Sequence, residues 1–218
     1  MKHAVLGTGT VGQRIGSKLV ALGHEVMMGS RSAGNEKAVA WVAAAGKGAS
    51  EGTFAQAAAF GELVWNCTAG TGALAALEAA GADALAGKIL LDLSNPLDFS
   101  KGFPPRLSIC NDDSLGEAIQ RALPRTKVVK TLNTMSNAIM VEPGLVPGDH
   151  EVFVSGNDAE AKAVVSRFLQ EQLGWRRVTD LGDISTARGT EAWLLLWTRL
   201  YAALGTADFN LSLQRKPG

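Results

Sequence analysis

Short apolar runs recur along the chain, separated by stretches long enough for a helix. Most runs are continuous rather than alternating, which predicts strands covered on both faces, as in a parallel sheet. The predicted strands lie at residues 3–6, 24–28, 63–67, 89–93, 128–132, 152–154 and 175–178. Helical patterns lie between them, at residues 11–22, 72–80, 115–122 and 159–173, and a last helix is expected at about 185–204.

The predicted elements divide the chain near residues 140–150, where Pro143 and Pro147 interrupt the pattern. Residues 1–145 hold about six strands alternating with helices, which indicates a Rossmann-type doubly wound α/β domain with a mostly parallel sheet. Residues 146–218 suffice only for a strand or two and two helices. We expect them to form a small C-terminal α/β segment that completes the cleft.

Composition narrows the classes of function. Hydrophobic residues make up 46% of the chain, and 21 basic residues balance 21 acidic ones. A net charge of zero gives no long-range attraction to nucleic acid or to an anionic membrane. Cys67 and Cys110 form no CxxC motif, and no apolar run approaches the ~18 residues of a spanning helix. We therefore expect a cytoplasmic protein with no metal site, no nucleic-acid partner and no membrane segment.

A glycine-rich segment follows the first predicted strand and opens the first predicted helix. It reads Gly7-Thr8-Gly9-Thr10-Val11-Gly12, the spacing G-x-G-x-x-G. Gly7 permits a tight turn, Gly9 lets a pyrophosphate approach the backbone, and Gly12 lets the helix pack close to the strand. The helix N-terminus then offers free N–H groups to phosphates. This context predicts a dinucleotide site.

The end of the second predicted strand indicates which dinucleotide binds. An NAD site usually carries Asp or Glu there to hold the ribose 2′-hydroxyl. Here the sequence is Ser30-Arg31-Ser32, with no carboxylate. Arg31 can pair with a 2′-phosphate, and both serines can donate to it, which favours NADP over NAD.

No catalytic acid or base is evident. Tyr201 is followed four residues later by glycine, so the Tyr-x-x-x-Lys pair of short-chain dehydrogenases is missing. His3 and His24 begin strands at the end of the sheet away from the crevice, and His150 begins a later one. Lys130 is interpreted as a solvated strand lysine. The lack of an evident catalytic acid or base is consistent with a hydride acceptor that needs little general acid–base catalysis, such as a flavin or deazaflavin ring.

The chain resembles the NADPH-dependent deazaflavin (coenzyme F-420) reductases and the reductase domain of the six-transmembrane metalloreductases. The segments that carry the resemblance are Gly7–Gly12, Gly29–Ser32, Asp92–Pro96, Val128–Met135, Val152–Asp158 and the pair Arg188 and Glu191. The archaeal reductases carry a Pro-Trp segment after the fourth strand, where this chain has Thr68-Ala69-Gly70. That departure leaves the second substrate open.

The resemblance implies a set of cofactor-binding residues. The pyrophosphate cradle is implied at Gly7, Thr8, Gly9, Thr10 and Val11. The 2′-phosphate site is implied at Ser30, Arg31 and Ser32, and the nicotinamide-side loop at Thr68, Ala69 and Gly70. The floor beneath a second ring is implied at Asn133, Thr134 and Met135, with Ser94 and Asn95 at the neighbouring strand end.

Several interpretations remain open from the sequence. The first is NADP(H)-dependent hydride transfer to deazaflavin coenzyme F-420, or to FMN or FAD. The alternatives are a non-catalytic NADP(H)-binding module that senses redox state and a reductase of a small imine or carbonyl. Cys67 is interpreted as a buried core residue. Arg188 and Glu191, three residues apart on one helix, either pair with each other or belong to the site.

The last predicted helix is apolar on more than one face. Its large apolar residues are Trp193, Leu194, Leu195, Leu196, Trp197, Leu200, Tyr201 and Leu204. A helix of this kind must be covered on most sides, and the C-terminal segment has little material to do so. We therefore expect a two-fold homodimer that buries this helix.

Overall fold

The computed structural model describes residues 1–216, which form one continuous eight-stranded sheet with helices on both faces. Its strands are β1 (Lys2–Leu6), β2 (Glu25–Ser30), β3 (Ala49–Thr53), β4 (Leu63–Asn66), β5 (Ile89–Asp92), β8 (Lys127–Thr131), β9 (Glu151–Ser155) and β10 (Arg177–Gly182). A two-stranded antiparallel hairpin, β6 (Leu97–Asp98) and β7 (Arg106–Leu107), follows β5.

Helices connect the strands. They are α1 (Thr10–Ala21), α2 (Glu36–Ala45), α3 (Phe54–Phe60), α4 (Ala73–Ala80), α5 (Ala82–Leu85), α6 (Leu115–Ala122), α7 (Asn137–Val141), α8 (Ala159–Glu171) and α9 (Ala187–Leu204). Single 3-10 turns lie at Gly70–Gly72, Pro143–Leu145 and Ile184–Thr186. Within residues 1–216, no helix combines the length and apolar composition needed to cross a bilayer.

The strand order across the large sheet is β10-β9-β8-β5-β4-β1-β2-β3. From β3 to β8 all neighbours are parallel, with the switch in direction of winding between β1 and β4. Ligands of such sheets bind at the carboxyl ends of the strands beside this switch point. The predicted Rossmann-type α/β fold with a mostly parallel sheet is confirmed.

The C-terminal residues extend the same sheet in the opposite direction. β9 runs antiparallel to β8, and β10 runs parallel to β9 after the crossover through α8. Asp158 caps α8 by accepting a hydrogen bond from the backbone N–H of Ala161. Because both strands are reversed, the edge formed by strand carboxyl ends stops at β8.

Alternate residues of the central strands pack into two separate cores. On one face Val5, Trp65, Leu91 and Val129 join a cluster that includes Trp41 and Trp175. On the other face the neighbouring strand residues join a second cluster; they are Ala4, Leu6, Val64, Leu90 and Val128. Burial on both faces explains why these strands read as continuous apolar runs.

The sequence did not predict β3, α2, α3, α5, α7 or the β6–β7 hairpin. β3 is an edge strand with the sequence ASEGT, and it is held by backbone pairing to β2 rather than by an apolar run. Several boundaries also differ from the prediction; for example, β10 begins at Arg177 instead of residue 175, and α9 begins at Ala187 after a 3-10 turn. Trp175 is buried but precedes its strand.

Candidate functional site

The turn between β1 and α1 requires two of its glycines. Gly7 has a φ of +118°, and a Cβ there would lie 2.8 Å from the carbonyl oxygen of Cys67. A Cβ on Gly12 would lie 2.0 Å from the carbonyl oxygen of Gly7. By contrast, nothing lies within 4 Å of the position that a Cβ on Gly9 would take. The turn is therefore tight on its inner side and open to a ligand at Gly9.

The N-terminus of α1 lacks a side-chain cap. Its N-cap residue is Gly9, and Thr10 and Val11 begin the helix. Capping side chains are present on α2, α3, α6 and α8, from Asn35, Thr53, Ser114 and Asp158. The free N–H groups and the helix dipole of α1 suit a phosphate, and no acidic residue in its first turn opposes one.

A cleft of about 630 Å³ opens at the carboxyl ends of β1, β2 and β4. The predicted residues that it brings together are Gly7, Thr8, Gly9, Ser30, Arg31, Thr68 and Ala69. Its wall also includes residues that the sequence analysis missed: Asn35, Phe54, Gly72, Ala75, Ala76 and Ala79. Among residues 1–216, the ionisable groups on this wall are Arg31 and Cys67, and no carboxylate or histidine of this part of the chain lines it.

Ser30, the last residue of β2, and the two residues that follow it have different roles. The Ser30 hydroxyl is buried and donates a 2.6 Å hydrogen bond to the carbonyl oxygen of Ser32. Arg31 and Ser32 are exposed, and within residues 1–216 the guanidinium of Arg31 has no ion-pair partner. Arg31 is thus available to an anion, whereas Ser30 shapes the turn.

The loop after β4 is anchored at both ends. A Cβ on Gly70 would lie 1.9 Å from the carbonyl oxygen of Asn95, so the loop packs directly against the backbone that follows β5. Cys67 is buried, as the sequence indicated. Burial, and then the negative charge of Asp92, raise the pKa of its thiol far above the ordinary value, which leaves it a neutral core group.

Lys130 is not a solvated lysine. Its side chain is fully buried at the carboxyl end of β8. The ammonium lies 2.8 Å from Asp92 Oδ2 and 2.8 Å from Glu191 Oε1, and it donates to the carbonyl oxygen of Ser94. The sequence interpretation was wrong because two carboxylates from distant segments compensate the burial of the charge.

Electrostatics keep this lysine ionised. Burial alone would lower the pKa of Lys130, but the charges and hydrogen bonds of Asp92 and Glu191 outweigh it and raise the pKa. Glu191 also accepts hydrogen bonds from the backbone N–H groups of Leu115 and Gly116, at 2.8 and 3.0 Å. The N-terminus of α6 therefore offsets the second carboxylate.

Arg188 and Glu191 do not pair with each other. The Arg188 guanidinium instead forms a two-point contact with Glu117 on α6, at 2.8 and 2.6 Å. The two residues together hold α9 against α6. Glu191 does so from inside the protein and Arg188 from its surface.

The residues predicted to lie beneath a second ring form a compact, buried unit. Asn133 Nδ2 donates to Asn95 Oδ1 at 3.0 Å, and Asn95 Nδ2 donates to the carbonyl oxygen of Asn133 at 2.9 Å. Thr134 and Met135 are also buried. Leu132, immediately before this unit, has a φ of +58°. A bulky residue in the left-handed region costs about 1–3 kcal/mol, and such strain is typical of functional segments.

Ser94 is buried in the same region but faces inward. Its backbone N–H and its hydroxyl both donate to Asp92 Oδ1, at 3.1 and 2.6 Å. From the sequence, Ser94 is expected among the ligand contacts, whereas Asp92 and Asn66 are not singled out. Both are polar residues at the ends of otherwise apolar strands, and that position was the available signal.

The comparisons with known proteins agree with this geometry. A sequence model of the family described as "NADP oxidoreductase coenzyme F420-dependent" matches residues 2–96. A crystal structure of a protein from Arthrobacter sp. FB24, suggested to be an F420-dependent NADP reductase, is 54% identical. The match covers 99% of this chain and 100% of that one, with a TM-score of 0.94.

Two curated proteins are also similar. The F420-dependent NADP reductase of Methanocaldococcus jannaschii is 35% identical over 50% of this chain and 48% of its own length. Metalloreductase STEAP3 of Rattus norvegicus is 30% identical over 88% of this chain and 36% of its own length. The match therefore spans about half or less of each curated relative. The match to the Arthrobacter structure, together with the family model over residues 2–96, shows that this chain belongs to the family of coenzyme F420-dependent NADP oxidoreductases.

Proposed function

We propose that this protein transfers hydride between the nicotinamide of NADP(H) and the ring of deazaflavin coenzyme F420 or of a flavin. The observation that carries the proposal is the cleft wall. It presents Arg31 at the end of β2 but no carboxylate or histidine to exchange protons with a substrate. A ring that accepts hydride directly suits such a wall, because the coenzymes supply the chemistry and the protein supplies their orientation.

The N-terminus of α1 is the proposed binding site for the phosphates of the coenzyme. This uncapped N-terminus lets the backbone N–H groups of Thr8, Gly9, Thr10 and Val11 bind the pyrophosphate, while Gly7 keeps the turn tight. Arg31 and Ser32 bind the 2′-phosphate, and Ser30 holds their turn in place. The lack of an acidic residue at this strand end supports NADP over NAD.

The reacting rings belong between two loops. Thr68, Ala69 and Gly70 border the nicotinamide side, and the small side chains of the last two leave room for a flat acceptor. Asn95 and Asn133, which hold each other through two hydrogen bonds, form the opposite floor together with Thr134 and Met135. Ser94, the residue before Asn95, is held in place by its hydrogen bonds to Asp92.

We further propose that residues 146–218 act as a small α/β unit that completes the cleft and carries a homodimer interface. The support is α9, whose inner face packs on α6 while Leu195, Leu196, Tyr201 and Leu204 remain exposed. A second copy related by a two-fold axis would cover this face. Light scattering at micromolar concentration should give the mass of two chains, and Leu196→Glu should give the mass of one.

The decisive experiment follows oxidation of NADPH with coenzyme F420, FMN or FAD as acceptor, read at the acceptor's own absorbance band. We expect at least one ring to be reduced well above the enzyme-free rate. Reduction of a small imine or carbonyl, with no reduction of any ring, would contradict the proposal. Tight NADPH binding without reduction of any acceptor would favour the redox-sensing module.

A further inference from the structure

A continuous chain of hydrogen bonds links the buried Lys130 to the cleft. Lys130 Nζ contacts Asp92 Oδ2 at 2.8 Å, and the other oxygen of Asp92 accepts from Asn66 Nδ2 at 2.8 Å. Asn66 Oδ1 in turn contacts the Thr68 hydroxyl at 2.6 Å and the Thr68 backbone N–H at 3.3 Å. Asn66 and Asp92 are fully buried, whereas Thr68 lines the cleft.

The direction of every donor in this chain is fixed. An ammonium group can only donate, and both oxygens of Asp92 face donors, so Asp92 is a carboxylate that can only accept. The backbone N–H of Thr68 can also only donate, so the amide oxygen of Asn66 must face it. The orientation of the Asn66 amide is therefore imposed from both sides.

This polarity determines what Thr68 can offer a ligand. Its hydroxyl faces an amide oxygen that has only lone pairs, so the Thr68 hydrogen is used inside the protein. What remains toward the cleft is the acceptor capacity of Thr68 Oγ1. A threonine that could both donate and accept in solution is thereby reduced to an acceptor.

We infer that Thr68 Oγ1 accepts a hydrogen bond from the –NH2 group of the nicotinamide carboxamide, and that Asn66 and Asp92 are positioning residues that enforce this polarity. The inference rests on the coenzyme site proposed above, and it assigns to Thr68 a selection for the carboxamide. An oxygen that can only accept binds an –NH2 group but gains nothing from a methyl group in its place.

Equilibrium binding tests the inference without turnover. Dissociation constants are measured by titration for NADPH and for the reduced 3-acetylpyridine analogue, in which a methyl ketone replaces the carboxamide. One neutral hydrogen bond corresponds to about a 3- to 10-fold preference for NADPH in the wild type. Thr68→Val should abolish that preference, mainly by weakening NADPH binding, and Thr68→Ser should retain it.

Two further variants separate polarity from general damage. Asn66→Ala leaves the Thr68 hydroxyl free to rotate and should reduce the preference although Thr68 is present; its folding is checked by urea unfolding. Thr8→Val alters another threonine of the same cleft that has no link to Asn66. It should change the affinity for both coenzymes by the same factor.

The outcomes are distinguishable. If the wild type binds both coenzymes equally, or if Thr68→Val weakens both by the same factor, the inference about Thr68 is wrong while the proposed coenzyme site stands. If the wild type binds neither coenzyme, both the proposed coenzyme site and the inference about Thr68 are wrong. A preference that disappears in Thr68→Val and persists in Thr68→Ser and Thr8→Val supports the inference.

Discussion

The two ends of the central strands each bury ionisable side chains, but with opposite results. At the carboxyl end, Lys130 is surrounded by Asp92 and Glu191 and keeps its charge. At the amino end, His3 is fully buried beside His24, and its Nδ1 accepts a 3.1 Å hydrogen bond from Trp65 Nε1. Burial, then His24 and the N-terminal amine, lower the pKa of His3 to about 3.

The difference lies in the partners rather than in the depth of burial. Low dielectric penalises a charge at either end, and among residues 1–216 Lys130 has carboxylates in contact to compensate whereas His3 has none. At the amino end the Nε2 atoms of His3 and His24 have no hydrogen-bond partner among residues 1–216. We therefore expect changes at the amino end to alter stability alone. Changes at the carboxyl end should alter ligand binding as well.

The largest effect is expected from Lys130→Met. This variant leaves two buried carboxylates without their cation, which should lower the free energy of unfolding by about 3–5 kcal/mol. Lys127→Met on the same strand removes a half-exposed pair with Asp158 and should cost at most ~1 kcal/mol. Urea unfolding of both variants checks the contrast. Equal losses would show that burial of the pair is not the cause.

A pH titration of stability tests the amino end. His3, with its lowered pKa, is neutral in the folded protein down to pH about 3, whereas in the unfolded chain it takes up a proton near the ordinary histidine pKa of 6.5. The stabilisation is therefore present above pH 6.5 and is lost as the pH falls toward 3. Between pH 7 and 4.5 we expect a loss of about 2–3 kcal/mol.

The His3→Asn variant sharpens this test. It keeps an acceptor for Trp65 Nε1 but cannot titrate, so its unfolding free energy should depend less steeply on pH over the same interval. Turnover of the folded variant at pH 7 should equal that of the wild type. A large change in KM for either substrate would break the proposed separation between the two ends of the sheet.

Arg31→Ala acts at the carboxyl end without disturbing the core. A charge-assisted pair with the 2′-phosphate is worth about 1.5–3 kcal/mol, so the wild type should bind NADPH at least ~10-fold more tightly than NADH. The variant should lose most of that preference with little change in stability. Arg14→Ala, on an exposed part of α1 outside the cleft, serves as the control and should keep the preference.

The smallest effect is expected from Asn133→Ala. It removes one of the two hydrogen bonds with Asn95, at the position proposed to lie beneath the acceptor ring. We expect KM for the ring acceptor to rise by about 3- to 10-fold, while the dissociation constant of NADPH stays nearly unchanged. Steady-state kinetics with varied acceptor, combined with a coenzyme titration, measure the two quantities. A parallel loss of NADPH affinity would place Asn133 on the coenzyme side instead.

Local chemistry allowed the sequence to predict several residues that the structure brings together in one cleft. The turn from Gly7 to Gly12 and the segment after β2 each depend on adjacent residues, and the apolar runs identified the central strands. The edge strand β3 was not predicted because its sequence has no apolar run; pairing of its backbone with β2 holds it in the sheet. Lys130 was misinterpreted because its partner Asp92 lies 38 residues away along the chain. Glu191 was ambiguous because the helix that it caps begins 76 residues earlier.

The position of Glu191 has a consequence for the order in which the protein can form. During synthesis from the N-terminus, the segment from β1 to β8 is made before Glu191. At that stage Lys130 can pair only with Asp92, and the N-terminus of α6 lacks its hydrogen bonds to Glu191. The cluster is complete only when α9 has left the ribosome and docked on α6. Nascent chains that end before Glu191 should thus resist proteolysis less than the finished chain, because the last helix completes the buried charges of strands made much earlier.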